Sequence, residues 1–250
     1  MSFEGKVAFI TGGAAGIGAA AAEAFVARGA AVAIADLDAD AGRMLAAKLS
    51  DAGGRAIAIA CDVADQPAIV AAVAETSDAF GGVDFLINNA GRHLYEHSRP
   101  FVEQSTETIF QIFNVNVMGA IYCTLACRET MRARGGGAIV NISSIGSNPS
   151  MSPYGVSKLA VEGLTTAFAG DLAEDGTRVN AIAPGMIATE ALRHDKSFDH
   201  MDEFVNRLQR IRRLGTEADV VPTILFLCSS DASFITGEVI RVSGGYPYHR

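Results

Sequence analysis

Short apolar runs alternate with helical patterns along almost the whole chain, and this alternation restricts the fold more than any other feature. The predicted strands are Lys6–Thr11, Ala31–Ala35, Ala56–Ala60, Val83–Asn88, Ala138–Ile142, Arg178–Ala183 and Glu238–Val242. The predicted helices are Gly16–Arg28, Ala39–Ala52, Gln66–Phe80, a long one at Thr106–Arg134, Pro153–Glu174 and Glu217–Ser229. Continuously apolar strands are typical of burial on both faces. The sequence therefore predicts an α/β fold, with a doubly wound parallel sheet and helices on both faces.

Length and composition narrow the class of protein further. The 250 residues suit one large domain, and we find no linker or repeat that would divide residues 1–250. The net charge of −8 and the absence of a basic stripe argue against a nucleic-acid partner. We see no apolar run of the ~18 residues that a membrane span needs, and no signal peptide. We therefore expect a soluble, cytoplasmic protein without a membrane partner.

The cysteines and histidines do not predict a metal site. Cys61, Cys123, Cys127 and Cys228 have neither CxxC spacing nor a secretory context, so we expect reduced and mostly buried thiols. His93 and His97 are four residues apart, but their segment reads as a loop without a third ligand. We expect them to be surface or pocket-lining histidines.

A glycine-rich turn, Thr11-Gly12-Gly13-Ala14-Ala15-Gly16-Ile17-Gly18, joins the first strand to the first helix. Glycines let the backbone approach a pyrophosphate, and the N–H groups at a helix N-terminus attract it. Alone, the motif is about as consistent with a glycine turn that binds no ligand as with a pyrophosphate site.

Asp36, at the end of the second strand, favours a dinucleotide-binding site over a glycine turn without a ligand. Its carboxylate would accept hydrogen bonds from ribose hydroxyls and repel a 2′-phosphate. The alternative for Asp36 is a helix N-cap. Because neither Gly13 nor Leu37 is basic, we favour NAD(H) over NADP(H).

Polar residues also end the next two strands. Asp62-Val63 ends the third, where an adenine edge could be held. Asn88-Asn89-Ala90-Gly91 ends the fourth. The asparagines could brace the strand end, form part of the cofactor wall, or belong to a simple Asn-rich turn.

Tyr154 and Lys158 lie four residues apart at the start of a predicted helix, so they share one face. A nearby cation favours the phenolate and lowers a tyrosine pKa from about 10 toward neutral, with help from a positively charged cofactor ring. Such a tyrosine is a general acid and base suited to an alcohol or a ketone. On its own the pair is more often two neighbours on a half-solvated surface.

Together these motifs resemble the short-chain dehydrogenase/reductase family, in the branch of chains with this length. The resemblance covers essentially the whole chain and extends to Asn116–Gly119, Asn141–Ser144, Pro184–Thr189 and Ser243–Gly245. It implies a Rossmann-type sheet of seven or so strands. It also implies reversible hydride transfer between NAD(H) and a small secondary alcohol or ketone. A non-catalytic dinucleotide-binding sensor and a scaffold protein on the same fold are the alternatives.

The resemblance also implies roles for individual residues. Tyr154 is the implied general acid/base, and Lys158 binds the nicotinamide ribose and lowers the tyrosine pKa. Ser144 hydrogen-bonds the substrate oxygen, and Asn116 holds a water of a proton relay. The implied cofactor-binding residues are Gly12, Ala15, Gly16, Ile17, Gly18, Asp36, Leu37, Asp62, Val63, Asn89, Ala90, Gly91, Tyr154, Lys158, Pro184, Gly185, Ile187 and Thr189.

The family also implies a homotetramer, formed through the helix of Tyr154, the long helix before it and the C-terminal strand region. Residues 246–250 could reach a neighbouring subunit or form a disordered tail. Residues 190–213 have no clear period at their start, which predicts a substrate-binding lid. We expect 92–95, 147–151, Met186 and 190–201 to line the pocket. Hydrophobic cyclic alcohols, sugars and hydroxy acids all remain possible substrates.

The chain departs from the family pattern between Ser144 and Tyr154, where the connection is a few residues shorter than usual. Either Ser143 replaces Ser144, or the loop is tighter and leaves the pocket more open on that side. We expect the tighter loop, because the strand and its Ser-Ser end otherwise keep the usual register.

Overall fold

The computed structural model describes residues 1–92, 95–190 and 201–246. Seven parallel strands form one sheet in the order β3-β2-β1-β4-β5-β6-β7, which confirms the predicted doubly wound sheet. The strands are β1 Val7–Thr11, β2 Ala31–Asp36, β3 Arg55–Ala60, β4 Phe85–Asn88, β5 Gly137–Ile142, β6 Thr177–Pro184 and β7 Val239–Val242. From β1 the strand order runs to one side through β2 and β3, and then to the other side from β4 to β7. The topological switch point therefore lies between β1 and β4. Ligands of such sheets bind beyond the carboxyl ends of the strands at this point.

Helices cover both faces of the sheet. They are α1 Gly16–Val26, α2 Ala39–Asp51, α3 Gln66–Phe80, α4 Thr106–Phe113, α5 Gly119–Ala133, α6 Pro153–Asp171, α7 Met201–Arg207 and α8 Glu217–Cys228. Most predicted ends lie within three residues of these. The long predicted helix is divided instead, because Asn114–Met118 adopts π-helical geometry between α4 and α5. The segment predicted as a loop before α4 contains two short 3₁₀ turns, Tyr95–Ser98 and Phe101–Glu103.

Successive strand residues point to opposite faces, and each face has its own core. On one side Ile10 and Ile34 pack with Phe3, Phe25 and Phe85, whose rings lie 5.2–5.7 Å apart between centroids. On the other side the buried residues of α3 and α5 cover the sheet. This core contains Phe9, Leu86 and Ile139 from the strands and Cys123 and Met131 from α5. Burial on both faces is why the central strands β1, β2 and β4 are apolar up to their last residue.

One helical stretch contradicts the expectation that no apolar run is long enough to span a membrane. Thr106–Ala133, which spans α4, the π segment and α5, is long and apolar enough to cross a membrane by length and composition. Its residues Ile112, Asn116, Cys123, Cys127 and Met131 are buried against the rest of the fold. A helix that packs on the sheet of a globular fold passes the same test, so the stretch is weak evidence for a membrane span.

All four cysteines are free and buried, as predicted. Burial raises the pKa of the Cys61 thiol to about 11 and that of Cys127 to about 12, and it raises the pKa of Cys123 and Cys228 as well. In the unfolded chain these thiols ionise at their ordinary pKa of about 8.5. Above that pH the unfolded chain therefore loses protons that the folded chain keeps.

We therefore expect the free energy of unfolding to fall as the pH rises from about 9 to 10.5, by about 1.4 kcal/mol per pH unit for each ionising thiol. Lys158 opposes this, because burial lowers its pKa to about 8 and so favours folding as the pH rises above 8. One lysine is outweighed by four thiols above about pH 9. Urea unfolding across this range tests the prediction, with Cys228→Ala expected to make the decline shallower. A constant free energy of unfolding would contradict it.

Candidate active site

The glycine turn after β1 brings the backbone of α1 close to two strand ends. Gly12 has a φ of 60°, and a Cβ there would lie 2.9 Å from the Ala90 Cα. A Cβ on Gly18 would lie 2.1 Å from the Gly12 carbonyl oxygen. Glycine is therefore required at both positions. The turn leaves the N-terminus of α1 open at the switch point, which is the geometry that fits a pyrophosphate.

Asn89 braces this turn. Its Nδ2 donates to the carbonyl oxygens of Thr11, at 3.0 Å, and Gly12, at 2.8 Å. The Thr11 hydroxyl accepts in turn from the backbone N–H groups of Asn89 and Ala90, both at 3.1 Å. Asn88 links strands instead, since its Nδ2 donates to Asn141 Oδ1 at 2.9 Å. Of the alternatives for these asparagines, bracing is the one that the contacts show.

Asp36 lies at the end of β2 beside the glycine turn. Its Oδ2 accepts from the Ala14 N–H and its Oδ1 from the Asp38 N–H, both at 2.9 Å. The cap of α2 is Asp38, whose side chain accepts from the Ala41 N–H, so the capping alternative for Asp36 is wrong. Leu37, the next residue, is 75% exposed and offers no positive charge.

The segment after β6 faces the glycine turn. The Gly185 N–H donates to the Val242 carbonyl at 2.9 Å, and Ile187 forms a β-bridge with Gly215. The Thr189 Cγ2 lies 3.4 Å from the place that a Cβ on Gly16 would occupy. The structure thus brings the predicted residues Pro184, Gly185, Ile187 and Thr189 to the same edge as the turn. Asp62 and Val63 follow the end of β3, with Asp62 exposed and Val63 buried.

Tyr154 lies in the first turn of α6, which begins at Pro153 with the Ser152 side chain as its cap. Burial raises the pKa of Tyr154, and a hydrogen bond from Ser144 partly offsets that effect. The expectation of a lowered pKa is therefore wrong for the chain by itself. Removing the phenol from water disfavours the phenolate more strongly than its protein neighbours favour it.

Lys158 lies one turn further along α6 and is 4% exposed. Its Nζ donates to the Ile142 carbonyl oxygen at 2.7 Å and lies 5.9 Å from the centre of the Tyr154 ring. Burial lowers the pKa of Lys158 to about 8. The i, i+4 spacing thus places both groups side by side, with Lys158 buried and Tyr154 partly exposed.

The two neighbouring serines at the end of β5 point to different partners. The Ser144 Oγ lies beside the Tyr154 ring, since it and the Tyr154 Cε1 both lie 3.4 Å from the place that a Cβ on Gly146 would occupy. The Ser144 Oγ accepts from the Gly146 N–H at 3.0 Å. Ser143 is 2% exposed, and its Oγ lies 2.8 Å from Glu162 Oε1 and 3.1 Å from the Lys158 carbonyl oxygen. The arrangement favours Ser144, and not Ser143, as the serine of the site.

Asn116 lies in the π segment and is 3% exposed. Its Oδ1 accepts from the Arg92 N–H at 2.8 Å, and its Nδ2 donates to the Ser157 hydroxyl at 2.9 Å. The amide therefore ties the end of the β4 loop to α6 beside Lys158. Single π turns inside α-helices are frequent at functional sites. A cavity with space for about one water molecule lies between Asn88, Asn116 and Lys158.

Some predicted features fall outside this arrangement. His97 is 4% exposed, so of the two alternatives for this histidine the surface position is wrong. His93, Leu94, residues 191–200 of the predicted lid and the last residues, 247–250, lie outside the described residues. Within the part of the chain that the structure describes, no cluster of three or more metal-ligating side chains occurs. Sequence reasoning missed Thr11, Ser157 and Glu162, although Glu162 continues the i, i+4 spacing of Tyr154 and Lys158.

Comparison with known proteins agrees with this geometry. Residues 12–247 match the family model described as Enoyl-(Acyl carrier protein) reductase. An uncharacterized oxidoreductase of Mycobacterium tuberculosis is 39% identical over 243 residues, covering 97% of this chain and 98% of the relative. The chain therefore belongs to the short-chain dehydrogenase/reductase family.

Two further similarities concern a characterised relative. The 7alpha-hydroxysteroid dehydrogenase of Escherichia coli is 34% identical over 248 residues, covering 98% of this chain and 95% of the relative. A solved structure of a 7 alpha-hydroxysteroid dehydrogenase complexed with NADH and 7-oxo glycochenodeoxycholic acid superposes with a TM-score of 0.90. It is 34% identical and covers 98% of this chain and 95% of that one. The chain is thus an oxidoreductase of this family by sequence and by fold.

Proposed function

We propose that the protein is an NAD(H)-dependent oxidoreductase that interconverts a secondary alcohol and a ketone. The observation that carries the proposal is the grouping of Ser144, Tyr154 and Lys158 at the same sheet edge as the glycine turn and Asp36. The Ser144 Oγ and the Tyr154 Cε1 both lie 3.4 Å from the place that a Cβ on Gly146 would occupy, and the Lys158 Nζ lies 5.9 Å from the centre of the Tyr154 ring. The relative that is named for a hydroxysteroid and was solved with NADH supports the same chemistry. We propose NAD rather than NADP because of Asp36.

The proposed roles follow from the contacts. When bound, the nicotinamide supplies the acceptor or donor of the hydride. Tyr154 exchanges a proton with the substrate oxygen, and the Ser144 hydroxyl stabilises negative charge that develops there. The Lys158 ammonium, 4% exposed, favours the phenolate electrostatically once the site is closed to water. Asn116 and the small cavity beside it would hold the water of a proton relay.

We extend the proposal to the organisation of the protein. Residues 1–250 form one dinucleotide-binding and catalytic domain, with 190–213 as the lid over the substrate. Of that segment the structure describes Glu190, helix α7 and the residues after it up to 213. We place the protein in the cytoplasm, with a small alcohol or ketone as its partner and neither a nucleic acid nor a membrane.

A homotetramer is part of the proposal, because the long helices carry exposed apolar side chains. Phe110 on α4, Leu125 on α5 and Leu159 on α6 are 65%, 50% and 49% exposed. Burial of such side chains between subunits stabilises association. Light scattering at several concentrations should therefore give about four times the chain mass of 26.1 kDa. A mass near one chain would contradict it.

A panel of hydrophobic cyclic alcohols, sugars, hydroxy acids and the matching ketones tests the activity, with each compound assayed with NAD(H) and NADP(H). Absorbance of the reduced nicotinamide gives the rate. We expect turnover of at least one alcohol/ketone pair, and faster turnover with NAD(H). Tight NADH binding without turnover of any compound would favour the sensor over the enzyme.

A further inference from the structure

Glu162 lies on the same face of α6 as Tyr154 and Lys158, at the spacing i, i+4, i+8. A single oxygen of its carboxylate receives two serine hydroxyls. Ser143 Oγ lies 2.8 Å and Ser147 Oγ 2.6 Å from Glu162 Oε1. Both serines are nearly inaccessible, at 2% and 3% exposure. Glu162 therefore joins the residue just before Ser144 to the end of the 3₁₀ turn just after it.

The 3₁₀ turn, Ile145–Ser147, is also pressed against the start of α6. A Cβ on Gly155 would lie 2.5 Å from the Gly146 carbonyl oxygen and 3.3 Å from the Ser150 Cα. Only a glycine lets the turn approach so closely. The shortened connection between Ser144 and Tyr154 thus packs directly on the helix and is fixed from two sides, by contact at Gly155 and by hydrogen bonds to Glu162.

The orientation of Ser144 depends on this turn. The Ser144 Oγ accepts from the Gly146 N–H at 3.0 Å and lies beside the Tyr154 ring, so a shift of the turn moves this hydroxyl relative to Tyr154. The backbone is coupled as well, because the Ser147 N–H donates to the Ser144 carbonyl at 3.1 Å. Loss of the carboxylate would leave the buried Ser147 hydroxyl without its acceptor, which is destabilising for the local structure. Ser143 would lose the Glu162 oxygen as well and keep only the Lys158 carbonyl oxygen at 3.1 Å.

We propose that Glu162 is a positioning residue that holds Ser144 against the substrate oxygen by anchoring Ser143 and Ser147. The inference rests on the proposed function, since it assigns Ser144 to the reacting oxygen. Glu162 acts as a hydrogen-bond acceptor in this role and not through its charge. Burial alone accounts for the lowered pKa of Lys158, one turn away, and the Glu162 carboxylate is not among its causes.

This distinction decides the choice of variants. Glu162→Ala removes the acceptor, and we expect kcat to fall by about 10- to 100-fold, because small displacements of a reacting group cost this much. The KM for NAD⁺ should stay within about twofold, since Glu162 contacts no residue of the glycine turn. Glu162→Gln keeps Oε1 as an acceptor and should restore kcat to within about threefold of the parent. Glu75→Ala, on the exposed side of α3, is the matched control.

A double-mutant cycle with Ser144→Ala separates positioning from general destabilisation. If Glu162 acts through Ser144, adding Glu162→Ala to Ser144→Ala should cause no further loss of kcat. An equal loss in both backgrounds, or an unchanged kcat in Glu162→Ala, would overturn the proposal. If Glu162→Ala does not fold, the Ser143→Ala/Ser147→Ala variant removes the same hydrogen bonds, and an unchanged kcat there overturns it as well.

Amide hydrogen exchange gives a readout that does not depend on turnover. We expect exchange of the amides at 144–148 to accelerate at least about tenfold in Glu162→Ala and to stay near the parental rate in Glu162→Gln. Unchanged exchange in Glu162→Ala overturns the inference even if no substrate is found. Absence of turnover in the parental protein, together with accelerated exchange, would instead count against the proposed function alone.

Discussion

Replacing Tyr154 by phenylalanine should lower kcat on the order of 10²- to 10⁴-fold while leaving the Kd for NADH within about threefold. The variant keeps the ring, and therefore the packing in the first turn of α6, but removes the phenol hydroxyl of the residue beside Ser144. Proton transfer to the substrate oxygen then has no positioned acid or base. Steady-state kinetics and NADH fluorescence titration measure the two quantities separately.

Tyr122→Phe is the matched control for this experiment. Tyr122 is partly buried on α5, where it packs against the core on the α3 and α5 side of the sheet. Removing its hydroxyl should leave kcat within about twofold of the parent. If Tyr154→Phe retained full activity, Tyr154 would not be the acid/base and the proposed mechanism would fail.

The sheet could be predicted from the sequence because its central strands are buried on both faces. Such strands must be apolar, and β1, β2 and β4 are apolar up to their last residue. The ends of these strands could be predicted for the same reason, since polar residues appear where burial stops. Asp36 and Asn89 were therefore found at the correct edge from the alternation alone.

Contacts between residues distant in sequence could not be predicted in this way. The π turn at Asn114–Met118 and the burial of His97 depend on packing that leaves no periodic pattern. The pKa of Tyr154 was expected to fall because Lys158 is nearby in sequence, whereas burial, which only the folded chain reveals, has the larger effect. Glu162 looks like a surface residue of a helix until Ser143 and Ser147 are placed against it.

Replacing Asp36 by asparagine should shift cofactor preference from NAD⁺ toward NADP⁺. The kcat/KM for NAD⁺ should fall by about 10- to 100-fold, because hydrogen bonds to a charged group contribute about 1.5–3 kcal/mol. The kcat/KM for NADP⁺ should rise, since the carboxylate that repels a 2′-phosphate is gone. Adding Leu37→Arg to Asp36→Asn should raise it further, because Leu37 is 75% exposed beside Asp36 and a guanidinium there can bind phosphate.

Asp36 also accepts hydrogen bonds from the Ala14 and Asp38 N–H groups, so its loss could disturb the glycine turn as well as the selectivity. The ratio of the two kcat/KM values separates these effects. A disturbed turn lowers kcat/KM for both cofactors together, whereas loss of the repulsion raises kcat/KM for NADP⁺ alone. Asp38→Asn is the matched control: asparagine still caps α2 through its side-chain oxygen, and the ratio should not change. A fall with NAD⁺ that brings no gain with NADP⁺ would show that Asp36 supports the turn without selecting the cofactor.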